Sequence, residues 1–173
     1  MGEFLKVNEV VSHLDVSPSM VVAEFGCGSA DFTLALAKKV SQGRVYALDV
    51  QQEKLSALKG KAERYTINNI VPVLCDLEVF KGSTLADNIL DIVLIPNVLF
   101  QAENKYAIIE EAKRVLKMGG QLLVIDWLKP GPFSPKEGMI RPEEVKIMAE
   151  QLSFSLKKEF ATGDYHFALL FTK

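Results

Sequence analysis

The sequence predicts an α/β fold built on a doubly wound, largely parallel sheet, and three observations lead there. Apolar runs short enough for strands alternate with stretches whose apolar residues recur at helical spacing. The first such run, Val21 to Phe25, turns sharply through Gly26 and Gly28 and passes straight into a helix. The next two runs each close on an acid, Asp49 and Asp76, as the first carries Glu24 near its end. In an open parallel sheet, ligands bind beyond the carboxyl ends of the strands, so these acids share one crevice.

Taken in order, Phe4, Val7, Val11 and Leu14 form one face of a short helix within residues 1–18, which Ser17-Pro18 breaks. Val21 to Phe25 is apolar apart from Glu24, as suits a strand covered on both faces. The two glycines allow positive φ and close backbone approach. The helix they open spans Asp31 to Val40, and its free N-terminal amides can receive a carboxylate or phosphate. Arg44 to Asp49 is the second strand. Leu55, Leu58, Ala62 and Tyr65 mark the second sheet-packing helix, and Ile70 to Asp76 the third strand. Residues 77–88 are a connection. Ile89 to Ile95 reads as a central strand with Asp91 as its one exception, Pro96 ending it and Asn97 at its mouth. A helix from Glu103 to Lys117 shows an apolar stripe through Ile108, Ile109, Ala112, Val115 and Leu116; Gly119-Gly120 ends it, and Gln121 to Trp127 is the fifth strand. Residues 128–140, with Pro130, Gly131, Pro132, Pro135 and Gly138, leave the carboxyl end of that strand and are either a lid over the crevice or a plain linker. Pro142 opens a helix to Gln151 with Glu143 and Glu144 in its first turn. Phe154 and Leu156 begin a sixth strand, and Tyr165 to Phe171, apolar on both faces, is a seventh set inside the sheet.

The 173 residues suit a single domain, 1–173, with 49% hydrophobic and 24% charged residues. A net charge of −2 supplies no global basic field, which disfavours nucleic acid as a partner. Cys27 and Cys75, the two cysteines, make neither a zinc framework nor a C-x-x-C motif; with two histidines, no metal site is expected. Free cysteines fit a cytoplasmic protein. Lys6 interrupts Phe4-Leu5, so no signal peptide is expected, and Ile89 to Phe100, the longest apolar run, is too short to span a bilayer. His13 is expected at the surface and His166 as a structural side chain at the start of the last strand.

Glu24-x-Gly26-x-Gly28-x-Ala30, followed by Asp49 and then Asp76, resembles the motifs of class I S-adenosylmethionine (SAM) dependent methyltransferases over residues 20–127. A dinucleotide fingerprint would want glycine where Asp31 stands. The resemblance implies a Rossmann-like seven-stranded sheet of order 3-2-1-4-5-7-6 with strand 7 antiparallel. It implies SAM as cofactor and S-adenosylhomocysteine as product. The turn Gly26, Cys27, Gly28 and Ala30 would hold the methionine end, Glu24 would pull on its amino group directly or through water, Asp49 would take the ribose hydroxyls, Val50 and Leu77 would flank adenine, Asp76 would accept its amine, and Asn97 would also belong to the cofactor site. Without the resemblance, acids at strand ends are read as helix caps.

Methyl transfer from a sulfonium needs alignment and exclusion of water, and a base only where the acceptor must lose a proton. Pro96-Asn97-Val98-Leu99-Phe100 lacks the Asn/Asp-Pro-Pro-Tyr/Phe motif of amino-group methyltransferases, and residues 97–127 are similar to the small-molecule, quinone-biosynthesis-like branch, with Phe100-Gln101 where histidines and Met118 where a proline are common there. A small-molecule acceptor is expected, oriented by Asn97 and Asp126 beside Trp127 and Phe133. The alternatives are an RNA or protein methyltransferase, or a SAM-binding protein that acts through a partner.

Overall fold

The computed structural model describes residues 5–131 and 133–173. In chain order these form α1 (Val7–Val11), β1 (Val21–Phe25), α2 (Asp31–Lys39), β2 (Arg44–Asp49), α3 (Gln52–Arg64), β3 (Ile70–Leu74), β4 (Leu90–Pro96), a 3-10 turn (Leu99–Gln101), α4 (Lys105–Val115), β5 (Leu116–Trp127), α5 (Pro142–Gln151), β6 (Ser155–Thr162) and β7 (His166–Thr172). The seven strands make one sheet in the order β3-β2-β1-β4-β5-β7-β6. β1 to β5 pair in parallel, and β7 runs antiparallel to both β5 and β6. The expected Rossmann-like doubly wound order is therefore the observed one.

Strand periodicity decides which side chains meet which helices. On β4, Val93 and Ile95 join a core with Ile108, Ile109 and Ala112 of α4 and Val145 and Ala149 of α5. Ile92 and Leu94 point the other way, into a core with Val10 and Val11 of α1 and Phe32 and Leu36 of α2. Both faces are thus covered, which explains the unbroken apolar runs of the central strands. At one edge β3 carries Pro72, whose missing N–H is tolerated in an edge strand. At the other, the exposed Lys157 and Lys158 of β6 blunt the edge against further pairing.

Several elements differ from the sequence expectation: β3 stops at Leu74, so Asp76 lies just past its end, and β4 takes in Pro96. Helix α1 is a turn and a half, with Val10 and Val11 both fully buried, and Phe4 lies outside the described residues. Helix α4 starts later than expected, because Asn104 caps it by accepting from the Ala107 N–H at 3.1 Å. It also ends earlier: β5 begins at Leu116, and its register with β4 jumps from Leu90↔Leu116 to Ile92↔Gln121, a bulge that contains both glycines. Asp91, on the β4 side of that jump, accepts from Lys117 at 2.7 Å and from the Val21 N–H at 2.8 Å. The lone acid in an apolar strand thus ties the bulge to β1.

The chain winds from β1 outward to β3, then crosses back to β4 on the other side of β1. The reversal opens a crevice beyond the carboxyl ends of β1 and β4.

Candidate cofactor site

A cavity of about 620 Å³ fills that crevice. Its floor is the β1–α2 turn, where Gly26 and Gly28 have φ of 79° and 44° and Ala30, the residue before α2, is left-handed at 70°. The two glycines serve different purposes. A Cβ on Gly26 would lie 2.4 Å from Val98 Cγ2, so this glycine admits the segment that follows β4. A Cβ on Gly28 would meet nothing closer than a carbonyl oxygen at 4.0 Å, so this glycine faces open cavity. Among the described residues no side chain caps α2, and Asp31 and Phe32 of its first turn border the same space.

The expected cofactor residues converge there. Glu24, Gly26, Cys27, Gly28, Asp49, Val50, Asp76, Leu77 and Asn97 border the cavity, and Ala30 is buried beneath the turn. Asp49 accepts from the Gly28 N–H at 3.1 Å through one oxygen and from the Gln51 N–H at 2.9 Å through the other. Oδ1 keeps a second lone pair for a ligand hydroxyl, whereas Oδ2 also accepts from the Cys27 thiol. The same carboxylate lies 3.7 Å from Cys27 Sγ, and burial pushes the Cys27 thiol up to about 12. Asp76 is exposed and accepts from the Glu78 N–H at 2.9 Å; Leu77 beside it is buried, and Val50 is exposed.

Glu24 is buried, and the Thr33 hydroxyl donates to its carboxylate. Burial raises its pKa from 4.5 to about 8 against the opposing pull of that hydrogen bond. Asn97 has φ of 55°, its N–H donates to the Ile125 carbonyl at 2.8 Å, and its buried Oδ1 has no hydrogen-bond partner among the described residues. An orphaned acceptor beside a polar cavity asks for a donor from a ligand.

Asp126 lies elsewhere. It is fully buried, does not border the cavity, and accepts from the Phe100 N–H at 3.1 Å and the Trp127 N–H at 2.8 Å. No described residue of 128–140 borders the cavity either. That loop rests on Tyr165 through Gly131 and on Phe100 through Gly138. Trp127 stacks on buried His166 at 4.2 Å between centroids, and burial lowers the His166 pKa. His13 is half-buried, its ring 4.0 Å from that of Phe160.

Sequence reasoning missed the rim. Leu5, Val7 and Phe32 give one end of the cavity apolar walls, and Gln101 and Lys54 complete its sides. Phe32 was findable, because the first helical turn after a glycine turn faces the ligand. Among the described residues, Lys54 is the single cation on the lining, against Glu24, Asp31, Asp49, Asp76 and Glu78. Among the described residues, no group of three or more His, Cys, Asp or Glu side chains is placed to hold a metal ion, and no helix is long and apolar enough to cross a membrane.

Comparison with known proteins agrees with this geometry. A family model described as a methyltransferase domain matches residues 16–161. Demethylmenaquinone methyltransferase from Bacillus cereus (strain ATCC 10987 / NRS 248) is 29% identical over 137 residues, which cover 76% of this chain and 55% of that protein. The corresponding protein from Bacillus mycoides (strain KBAB4) is 28% identical over the same shares. The chain therefore spans about half the length of these relatives. Among solved structures, a SAM dependent methyltransferase from Aquifex aeolicus superposes with a TM-score of 0.85 at 23% identity, over 96% of this chain and 89% of that one. The [4+2]-cyclase SpnF does so with 0.83 at 13% identity, over 96% and 79%.

Proposed function

We propose, from the premise that the chain belongs to the methyltransferase domain family, that it binds S-adenosylmethionine in this cavity and transfers its methyl group to a small-molecule acceptor. The carrying observation is the convergence of Asp49, the open Gly28 and the orphaned Asn97 Oδ1 on one cavity. S-adenosylmethionine, when bound, supplies an activated methyl group on a sulfonium.

The residues present fit that molecule. The uncapped amides of α2 suit its carboxylate. Asn97 Oδ1 and the carboxylate of Glu24 offer acceptors to its ammonium. The carboxylate of Asp49 suits a pair of ribose hydroxyls, one at the lone pair left on Oδ1 and one displacing the weak thiol hydrogen bond from Oδ2, with Val50, Leu77 and Asp76 around the base. A lining of five acids against Lys54 suits a ligand that carries a sulfonium. Catalysis then consists of holding donor and acceptor in line and keeping water out. The apolar end formed by Leu5, Val7 and Phe32 takes the acceptor, which Asn97 orients. Asp126 contributes through the backbone of Phe100. The names of the relatives support a small molecule as acceptor, and two buried or half-buried free thiols support a reducing, cytoplasmic setting.

The test is calorimetric titration of SAM into the wild type and Asp49→Ala. Removing the acceptor of both hydroxyls lowers affinity by about ten- to a hundredfold, from ~1.5–3 kcal/mol for a hydrogen bond to a charged group. Equal affinities, or tighter binding of NADH than of SAM, refute the reading.

A further inference from the structure

The wall that separates the cofactor cavity from the 128–140 loop is the short segment 97–102. Asn97, Val98, Gln101 and Ala102 of this segment all border the cavity, and Phe100, in the middle of the 3-10 turn, does not. Both polar backbone groups of Phe100 instead face neighbours outside the cavity, the N–H in a hydrogen bond and the carbonyl in a close approach. Its N–H donates to Asp126 Oδ2 at 3.1 Å. Its carbonyl oxygen lies so close to Gly138 that a Cβ there would be 2.7 Å away, and Gly138 has φ of 86°. The rest of the segment is pinned as well: Lys105 Nζ donates to the Ala102 carbonyl at 2.6 Å, Gln101 Nε2 to the Asn97 carbonyl at 3.3 Å, and Val98 presses against Gly26 of the cofactor turn.

We propose that Asp126 and Gly138 are the two jaws of a clamp on Phe100 that sets the 97–102 wall, and through Val98 and Asn97 the cofactor turn. Both are positioning residues that touch neither cofactor nor acceptor. The proposal rests on the SAM reading above for its affinity readout, and on a second readout that needs no cofactor. It links the 128–140 loop to the cavity without the loop reaching it: displacing Gly138 displaces the Phe100 carbonyl.

The Asp126 jaw responds to pH. Burial pushes its carboxyl up to about 6, against the hydrogen bonds from Trp127 and Phe100. The charged group that faces it is Lys105 of α4; on the β7 side Phe167 pairs with Asp126 itself, and His166 lies beyond Trp127. Protonation removes the charge that holds the Phe100 N–H, so acid loosens the clamp. The backbone N–H of Trp127, the one tryptophan of the chain, donates to Asp126, so the carboxyl's charge lies next to this residue and its emission reports that ionisation.

The experiment compares wild type, Asp126→Asn, Gly138→Ala and the double variant by SAM calorimetry, thermal unfolding and Trp127 emission between pH 5 and 8. Each single variant binds SAM about two- to thirtyfold more weakly, the range of mutations that act through an intermediate residue. The double variant loses less than the product of the two, because both jaws hold one residue. With His166 replaced by Gln in every protein scanned, which removes the titrating ring stacked on Trp127, emission inflects near pH 6, the inflection shifts in Gly138→Ala, and it vanishes in Asp126→Asn. Lower thermal midpoints with unchanged SAM affinity, losses that multiply fully, or an inflection that survives Asp126→Asn overturn the clamp. A wild type that binds no SAM refutes the cofactor reading alone, and the clamp is then decided by whether Gly138→Ala shifts the emission inflection.

Discussion

Glu24 shows how far a single buried carboxyl can tie stability to ligand capture. Its pKa is raised from 4.5 to about 8 because burial penalises the charge more than Thr33 relieves it. Between those values the unfolded chain has lost this proton and the folded chain keeps it, so this group's contribution to stability falls as pH rises from 4.5 to 8 and is level on either side. An arriving ammonium reverses the preference and drives the proton off. SAM binding near pH 7 is therefore expected to release a fraction of a proton approaching one, visible as a dependence of the calorimetric enthalpy on the buffer's ionisation enthalpy, and affinity rises with pH up to about 8. In Glu24→Gln both dependences disappear and the unfolding midpoint flattens across that window. A buffer-independent enthalpy in the wild type would place the ammonium away from Glu24. The sequence made this residue legible as a motif acid but not its protonation, which depends on Thr33 and on burial by neighbouring strands. Asp126 was less legible still: its partner Phe100 lies on another element, so only the fold reveals that its oxygens are taken.

At the scale of elements, the β1–α2 turn divides its labour between two glycines that a motif treats alike. Gly26→Ala forces a Cβ into Val98 at a positive φ, and is expected to cost about 1–3 kcal/mol of stability in denaturant unfolding. Gly28→Ala meets only the milder strain of its φ, but its methyl enters the cavity and lowers SAM affinity more than stability. Measuring unfolding and SAM titration on both variants separates the roles, and the same ranking in both assays would contradict the division. The neighbouring boundaries show where sequence reading stops. Strands and helices with strong periodicity stood where expected. The start of α4 shifted because an asparagine cap outweighs one more apolar turn, and the start of β5 because the bulge is fixed by Asp91 and Lys117, partners from two strands. Local propensity holds no record of such pairings.

For the whole molecule, the crevice exists because the chain reverses its winding at β1, and a ligand there touches both halves of the sheet: Asp49 and Asp76 from one, Asn97 and Gln101 from the other. The cores on both faces of the sheet reach it. The core with α4 and α5 does so through Leu77, Ala102 and Ile108. On the other face, α1 is only a turn and a half, too short to hold itself, and it depends on Val10 and Val11 against α2 and on His13 against Phe160. Val7, at its start, borders the cavity, as does Leu5 just before it. Binding at the crevice is therefore expected to give this marginal segment a further wall, while β4, central and buried, is expected to exchange only through global unfolding. Hydrogen exchange with and without saturating SAM tests this: amides of residues 5–12 and 26–31 gain protection at short times. Amides of Ile92 to Ile95 change only by the global increment of about 2.7 kcal/mol expected at a hundredfold excess over Kd. Protection spread evenly over the sheet, or none at 5–12, would show that α1 is no part of the binding wall and that the acceptor end of the cavity must be built from other residues.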